Sequence, residues 1–163
     1  MRLEYAYGHD AVVCAFVAGL IPSCRTRGFG PCKTIGVVEG TELIAGLVYH
    51  NYDPDAQIIE ISGAALPGRA WLSRETIRRM YTYPFLDLGC QMVVQRNDAE
   101  DTRLLGMLAA YNYSFIKVPR MLGRHKDGVL CCLTFEDWAN NRFNQRFGHH
   151  LEELPNPLME AAE

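Results

Sequence analysis

The sequence predicts a mixed α+β fold, with a central mixed sheet of about six to seven strands and helices on both faces. Residues 57–113 follow the order strand, loop, helix, strand, helix. This order makes a βαβ unit, which needs a right-handed crossover and a parallel strand pair. A short edge strand within residues 1–8 and two further strand-like segments precede the unit, and a hairpin follows it. We predict one domain over residues 1–143 and an acidic C-terminal tail over residues 144–163.

Composition excludes several classes of protein. Four glutamates lie in residues 151–163 without a base, so the preceding chain is close to neutral and lacks the broad basic surface of nucleic-acid binders. No apolar run approaches the roughly 20 residues of a membrane span, and no signal-peptide pattern opens the chain. We therefore expect a cytoplasmic protein without a membrane partner. The six cysteines form no C-x-x-C pair, so we expect reduced thiols and no metal site, with zinc at Cys24, Cys32 and His125 as the alternative.

The first half of the chain reads as one helix followed by a meander. Asp10 is a good N-cap for an apolar helix that Pro22 ends. A loop over 22–33 then leads into three antiparallel strands, and Gly46 inside the second of them suggests a bulge. The predicted strands cover 34–40, 42–52 and 57–65.

The second half contains two capped helices and a closing hairpin. Ser73 is predicted to cap the helix that Pro84 ends, and Asp98 to cap the next helix. Leu104, Met107 and Leu108 belong to a broad apolar face of that helix. The remaining predicted elements are a strand at 90–96, a hairpin of 114–121 with 128–135, and a short helix at 136–143.

This order of elements, over roughly residues 10–140, resembles the GNAT superfamily of acyl-CoA-dependent N-acyltransferases. The segment DTRLLGMLAAYNYSFIKVPRM (101–121) is similar to the family's N-x-R-x-L-x-x-x-L-x-x-x-G-F segment, especially in the branch that acetylates ribosomal-protein N-termini. The family's Gly-Phe falls on Asn112-Tyr113, and Asn also tolerates a left-handed C-cap.

The resemblance implies acetyl-CoA as the cofactor, lying between strands 58–64 and 90–96. The family's cofactor loop, (Q/R)-x-x-G-x-(G/A), corresponds to residues 69–74, where Leu72 and Arg74 replace the glycines. We therefore expect the helix N-terminus at Ser73, with Arg69 or Arg74, to hold the pyrophosphate. Trp71 either covers the cofactor or packs against the sheet. The implied cofactor-binding residues are Ile61, Arg69, Trp71, Leu72, Ser73, Arg74, Asp101 and Arg103.

Acylation of an amine needs a base, an acid for the leaving thiolate and a donor to the thioester oxygen. The resemblance places a base on the strand before the cofactor loop, where Glu60 lies, and Ser62 shares its face. The alternative is a Glu60 that faces solvent or pairs with an arginine. Leu108 occupies the position of the tyrosine that serves as general acid in the family. Tyr111 is therefore the candidate general acid, and the alternative is that Tyr111 is a core residue.

Two basic loops resemble the family's acceptor-site walls. They cover 22–33 and 119–128 and supply the predicted substrate-binding residues Arg25, Arg27, Phe29, Arg120 and Arg124. Such loops suit an acceptor with a phosphate or carboxylate. Tyr49, His50 and Tyr52 are interpreted as packing at the end of a strand.

We therefore predict direct acetyl transfer to an amine of a small molecule or protein, by a monomer or homodimer. Two alternatives remain. One is a GNAT-fold binding module without transfer activity, which would release no thiol from acetyl-CoA. The other is a nucleic-acid-modifying enzyme with an acetyl-CoA-type cofactor, which would bind nucleic acid at low salt. The near-neutral charge does not favour nucleic acid as a partner.

Overall fold

The computed structural model describes residues 2–146, in which seven β-strands and five α-helices form two compact units. Within the described residues, unit 1 comprises 2–53 with Ile59–Tyr83, and unit 2 comprises Pro54–Ile58 with 84–146. The α+β class and the number of strands are as predicted. Residues 147–163, most of the predicted acidic tail, lie outside the described residues. None of the helices described in residues 2–146 is long and apolar enough to cross a membrane.

Unit 1 contains four strands in the order β1-β2-β3-β4, and the β1–β2 and β2–β3 pairs are antiparallel. The neighbouring strands β2, β3 and β4 match the predicted meander, and β1 lies at its edge, as the short strand predicted within residues 1–8. The elements are β1 (Leu3–Ala6), α1 (Asp10–Leu20), β2 (Cys32–Glu39), β3 (Glu42–Asp53), β4 (Ile58–Ala65) and α2 (Arg74–Thr82).

Helix α1 packs directly onto β3 at Gly46. A Cβ at this position would lie 2.7 Å from methyl groups of both Val13 and Val17. The prediction of a bulge at Gly46 is wrong, because Gly46 pairs in register with Gly36 and the register shift lies between Val37 and Val38. Gly46 is needed because the helix approaches the strand so closely.

The start of α1 also differs from the prediction. His9 is the N-cap residue, and Asp10 lies in the first turn. The Asp10 carboxylate instead accepts hydrogen bonds of 2.9 Å from both the backbone N–H and the hydroxyl of Thr34 on β2. Cys14 and Cys32 form a disulfide, whereas the sequence predicted reduced thiols. Both contacts tie α1 to β2, which is why Asp10 does not cap its own helix.

Unit 2 contains three antiparallel strands in the order β5-β7-β6. Its core includes Phe85, which stacks on Trp138 with ring centroids 4.9 Å apart. The elements are β5 (Met92–Asp98), α3 (Thr102–Ala110), β6 (Ser114–Gly123), β7 (Lys126–Thr134), α4 (Phe135–Ala139) and α5 (Arg142–Arg146).

Helix α3 has a later start than predicted and the predicted end. Asp101 is its N-cap and accepts from the Leu104 N–H at 3.1 Å, whereas Asp98 ends β5. Asn112 has φ 76°, and the following Tyr113 N–H donates to the Leu108 carbonyl at 3.0 Å. The left-handed C-cap expected at Asn112 is therefore confirmed. The apolar face is narrower than predicted, since Leu108 is buried but Met107 is 46 % exposed.

Candidate active site

A buried polar cluster lies where the end of β3 meets β4. The Nε2 atom of His50 is 2.9 Å from the Ser62 hydroxyl oxygen and 4.0 Å from Glu60 Oε1. His50 and Glu60 are only 3 % and 4 % exposed, while Ser62 is half-buried. Because side chains alternate along a strand, Glu60 and Ser62 share one face of β4, as predicted, and both reach the same imidazole nitrogen.

Asn51 and Phe29 complete the surroundings of this cluster. Asn51 donates from Nδ2 to Glu60 Oε2 at 2.8 Å. Its backbone has φ 51°, in the left-handed region that few non-glycine residues adopt. The Phe29 ring packs against the His50 ring with centroids 4.8 Å apart. A hydrogen-bonded carboxylate, an imidazole and a hydroxyl are therefore assembled at one point, and a carboxylate or imidazole in such a cluster can accept a proton from an amine.

The predicted site residues of β4 thus divide between two faces. Glu60 is buried, so the alternative in which it faces solvent is wrong. Ile61 lies between the two polar residues and is 1 % exposed within the core. Any role of Ile61 toward a ligand would come from its backbone, since its side chain fills the core on the other face.

In the loop after β4, Arg69 and Trp71 contact the protein's own strands. The Arg69 guanidinium forms ion pairs with both Glu39 and Glu42 at the β2–β3 turn. Trp71 packs against the buried cluster of Val37, Ile44 and Ala45. Leu72 is half-buried. These contacts favour a structural role for Arg69, because its charge is already matched by two carboxylates, and they favour the packing interpretation of Trp71.

Helix α2 begins as the sequence predicts. The Ser73 hydroxyl accepts from the Thr76 N–H at 3.1 Å, which confirms Ser73 as its N-cap. The Thr76 hydroxyl donates to the Trp71 carbonyl at 2.7 Å and lies 2.8 Å from the Tyr5 hydroxyl of β1. Arg74 follows as the first residue of the helix and is exposed. The N-terminus of α2 is therefore hydrogen-bonded to β1, with a positive side chain at its first position.

In unit 2, the predicted cofactor residues lie at the exposed start of α3, whereas the predicted acid, Tyr111, is buried. Asp101 caps α3 and Arg103 is exposed in its first turn. Tyr111 packs against Phe143 with ring centroids 5.5 Å apart, and burial raises the pKa of its phenol to about 12. A phenol with so high a pKa releases its proton reluctantly, so this geometry favours the core role over that of an acid.

The predicted acceptor loops also make specific contacts. Arg25 donates from Nε to the Gly19 carbonyl at 3.1 Å, and Arg27 to the Ser23 carbonyl at 3.4 Å, so both guanidiniums bind backbone near the end of α1. Arg120 has φ 64°, and its backbone N–H donates to the Asp127 carboxylate at 2.9 Å. The Arg120 and Arg124 side chains are exposed. Among the acceptor residues in unit 1, Phe29 touches the polar cluster through the His50 ring.

No arrangement of three or more His, Cys, Asp or Glu side chains suited to a metal ion occurs in residues 2–146. Of the residues in the alternative zinc site, Cys32 is bonded to Cys14, and Cys24 is buried with its sulfur 4.0 Å from the Arg27 guanidinium.

Solved structures share this fold although their sequences differ greatly. Spermidine/spermine N-acetyltransferase from Vibrio cholerae, in a complex with manganese ions, superposes with a TM-score of 0.70 at 12 % identity, covering 85 % of this chain and 96 % of that chain. A mutant spermidine N-acetyltransferase from the same organism gives a TM-score of 0.68 at 13 % identity, covering 85 % and 97 %. A dodecameric structure of spermidine N-acetyltransferase from Vibrio cholerae gives 0.66 at 12 %, covering 85 % and 97 %.

Comparison of the sequence itself found no relative. No family model matches the chain, and no curated protein matches its sequence. At such low identity, the structural likeness establishes the fold, which is that of the GNAT acetyltransferases, as the resemblance in the sequence implied.

Sequence reasoning missed two residues of the cluster, His50 and Asn51. His50 was assigned to strand-end packing because an isolated histidine beside tyrosines has no spacing pattern. The feature of the sequence that could have indicated His50 is the turn after Asp53, which brings the end of β3 back beside the start of β4. A hairpin of this kind places position 50 next to position 62, but the register had to be known to see it.

Proposed function

We propose that this protein is an acyl-CoA-dependent N-acyltransferase that transfers acetyl from acetyl-CoA directly to an amine. The observation that carries the proposal is the buried cluster of Glu60, His50 and Ser62 on a fold shared with solved acetyltransferases. A buried carboxylate is costly unless it is hydrogen-bonded, and here Asn51 supplies such a bond. The cluster therefore has the features of a site that handles a proton.

The reaction needs the acceptor as a free amine, whereas most amines are protonated at neutral pH. In our proposal the cluster removes that proton, and Glu60 supplies the negative charge that makes its removal favourable. Acetyl-CoA, when bound, would supply the thioester that the amine attacks. We assign no separate acid, because the geometry at Tyr111 favours a core role and a thiolate is a tolerable leaving group.

The N-terminus of α2 is the best-supported place for the pyrophosphate of the cofactor. Backbone N–H groups and the helix dipole favour an anion there, and the exposed Arg74 adds a guanidinium that matches phosphate geometry. Arg69 is the weaker candidate, because Glu39 and Glu42 already neutralise it. Leu72 and Arg74 in place of glycines would keep the backbone farther from phosphate than in the related loops.

The acceptor is proposed to be an amine of a small molecule. The matched structures are named as spermidine acetyltransferases, so a polyamine is the first acceptor to test. The basic residues in the two predicted acceptor loops favour the opposite choice, an amine that also carries a carboxylate or phosphate. An acceptor panel should therefore contain spermidine, amino acids, amino sugar phosphates and peptides with a free N-terminal amine.

Calorimetry with acetyl-CoA tests cofactor binding. We expect binding that Arg74→Ala weakens and that the matched variant Arg69→Ala leaves nearly unchanged. An absence of heat at millimolar acetyl-CoA would contradict the proposal. Equal loss in both arginine variants would contradict a specific contact between Arg74 and the pyrophosphate.

Release of free thiol from acetyl-CoA across the acceptor panel tests transfer. Glu60→Gln should lower kcat/KM by roughly 100- to 10,000-fold, the range for loss of acid–base catalysis. Glu100→Gln is the matched control, because Glu100 is exposed in the turn before α3. Acetyl-CoA binding without thiol release on any amine would favour a binding module instead.

A further inference from the structure

We propose that His50 is the proton acceptor of the site, that Ser62 delivers the proton to it, and that Glu60 stabilises the resulting imidazolium. This inference rests on the proposed function and specifies how the cluster performs it. No residue pattern in the sequence assigned His50 a role in chemistry.

Exposure decides the order in which the three groups act. Glu60 and His50 are almost completely buried, whereas Ser62 is half-buried. An acceptor amine approaching β4 would therefore meet the Ser62 hydroxyl before it could reach either of the other two. Glu60 acting alone would need the amine to enter the core, which its 4 % exposure prevents.

The Ser62 hydroxyl lies within hydrogen-bond distance of the imidazole. The 2.9 Å separation of the Ser62 oxygen from His50 Nε2 is a normal hydrogen bond, so a proton can pass along it. In the resting state this requires a neutral imidazole whose Nε2 accepts from the hydroxyl. The hydroxyl gives its proton to Nε2 and takes one from the acceptor ammonium, so Ser62 is unchanged and the positive charge moves from the amine to His50.

Glu60 then balances that charge. Its Oε1 lies 4.0 Å from the same nitrogen, within the range where an opposite charge favours a protonated histidine. Asn51 donates to the other carboxylate oxygen, Oε2, so the two oxygens of Glu60 have different neighbours.

The elements around His50 carry several other charged or titratable groups. On the loop that carries Phe29, Arg25 and Arg27 direct their guanidiniums to backbone carbonyls. On β2, the register partner of His50 is Cys32, whose sulfur is bonded to Cys14. On its own strand, the next acid is Asp53, and on β4 it is Glu60. Glu60 is therefore the carboxylate to remove in a test.

The first experiment follows His50 by NMR in protein with ¹⁵N-labelled histidine, and His50→Gln assigns its signal among the five histidines. We expect wild-type His50 to be neutral with an accepting Nε2 at high pH. In Glu60→Gln its titration midpoint should fall by about one pH unit or more, since a partner carboxylate is lost. An unchanged midpoint, or an Nε2–H tautomer in the neutral wild-type protein, would overturn the inference without reference to any activity.

The second experiment measures thiol release with the best amine of the panel. His50→Gln keeps a polar group near Ser62 but cannot accept a proton, so kcat/KM should fall roughly 100-fold or more while the acetyl-CoA Kd stays unchanged. Ser62→Ala should give a similar loss, and Ser62→Thr, which keeps the hydroxyl, should recover most of the rate. A Ser62→Ala variant with the same kcat/KM as Ser62→Thr would contradict the relay.

The two experiments separate the inference from the function on which it rests. If wild-type protein neither binds acetyl-CoA nor releases thiol, the proposed function fails, and NMR still decides whether Glu60 stabilises a protonated His50. If wild-type protein is active but His50→Gln retains full kcat/KM at every pH, the relay is wrong and the acyltransferase proposal stands.

Discussion

Replacing Gly46 by alanine should destabilise the protein, because α1 leaves no room for a methyl group there. The added Cβ would lie 2.7 Å from Val13 Cγ1 and 2.7 Å from Val17 Cγ2. Optimal carbon–carbon contacts are about 3.5–4.0 Å, so the helix or strand must move by about 1 Å. Neither valine can rotate away, since both are essentially fully buried and β-branched side chains in helices have one preferred rotamer.

The size of the effect follows from two opposing contributions. Overpacking a core costs about 1–3 kcal/mol. Removing glycine from a strand interior returns about 0.5–1 kcal/mol of backbone entropy. The net loss should be roughly 1–2 kcal/mol, which for an m-value of about 2 kcal/mol/M lowers the urea midpoint by about 0.5–1 M.

Equilibrium urea unfolding, followed by circular dichroism and tryptophan fluorescence, measures this loss. Gly19→Ala is the matched control, because Gly19 lies in α1 and a Cβ there meets nothing within 4 Å. The control should be stabilised by about 0.5–1 kcal/mol, since alanine favours a helix over glycine. A Gly46→Ala variant as stable as the wild type would refute the close packing of α1 on β3.

Two further predictions concern unit 2. Asn112→Ala should cost about 1–2 kcal/mol, because a φ of 76° is unfavourable for residues other than Gly and Asn. Asn112→Gly should be nearly neutral, and equal loss in both variants would instead implicate the bond from the Asn112 amide to the Asp137 carbonyl. The Tyr111 phenol, with a pKa raised to about 12 by burial, ionises at lower pH in the unfolded chain, so its contribution to stability is complete below about pH 10 and is lost between about pH 10 and 12. Tyr111→Phe should flatten the fall in urea midpoint over that interval, and an unchanged pH dependence would show that Tyr111 is accessible to water.

Local patterns predicted much of the fold and part of the site. Ser73 was identified as a cap because its hydroxyl bonds within one helical turn, and Asn112 as a left-handed residue because few side chains tolerate that conformation. The alternation of side chains on β4 predicts that Glu60 and Ser62 lie on one face. Where two residues compete for one role, such patterns fail: Asp98 and Asp101 are both good caps, and the position at which β5 stops pairing with β7 selects Asp101.

Long-range pairing decided what the sequence could not. The partners of Arg69 are Glu39 and Glu42, about 30 residues away in the chain, and no local rule links them. Asp10 likewise bonds to Thr34 rather than to its own helix, because the helix start lies beside β2. Each of these contacts depends on the docking of elements that are distant in sequence, so each altered the role that the residue type alone suggested.

By itself, then, the sequence determined the class of fold, the order of its elements and the two polar residues of β4, because these depend on periodicity and on backbone preferences within a few residues. Tertiary structure decided that His50 and Asn51 join Glu60 and Ser62, that Arg69 is neutralised and that Gly46 is a packing position. The physical reason is register. A shift of one residue between β3 and β4 would place His50 on the opposite face of the sheet from Ser62.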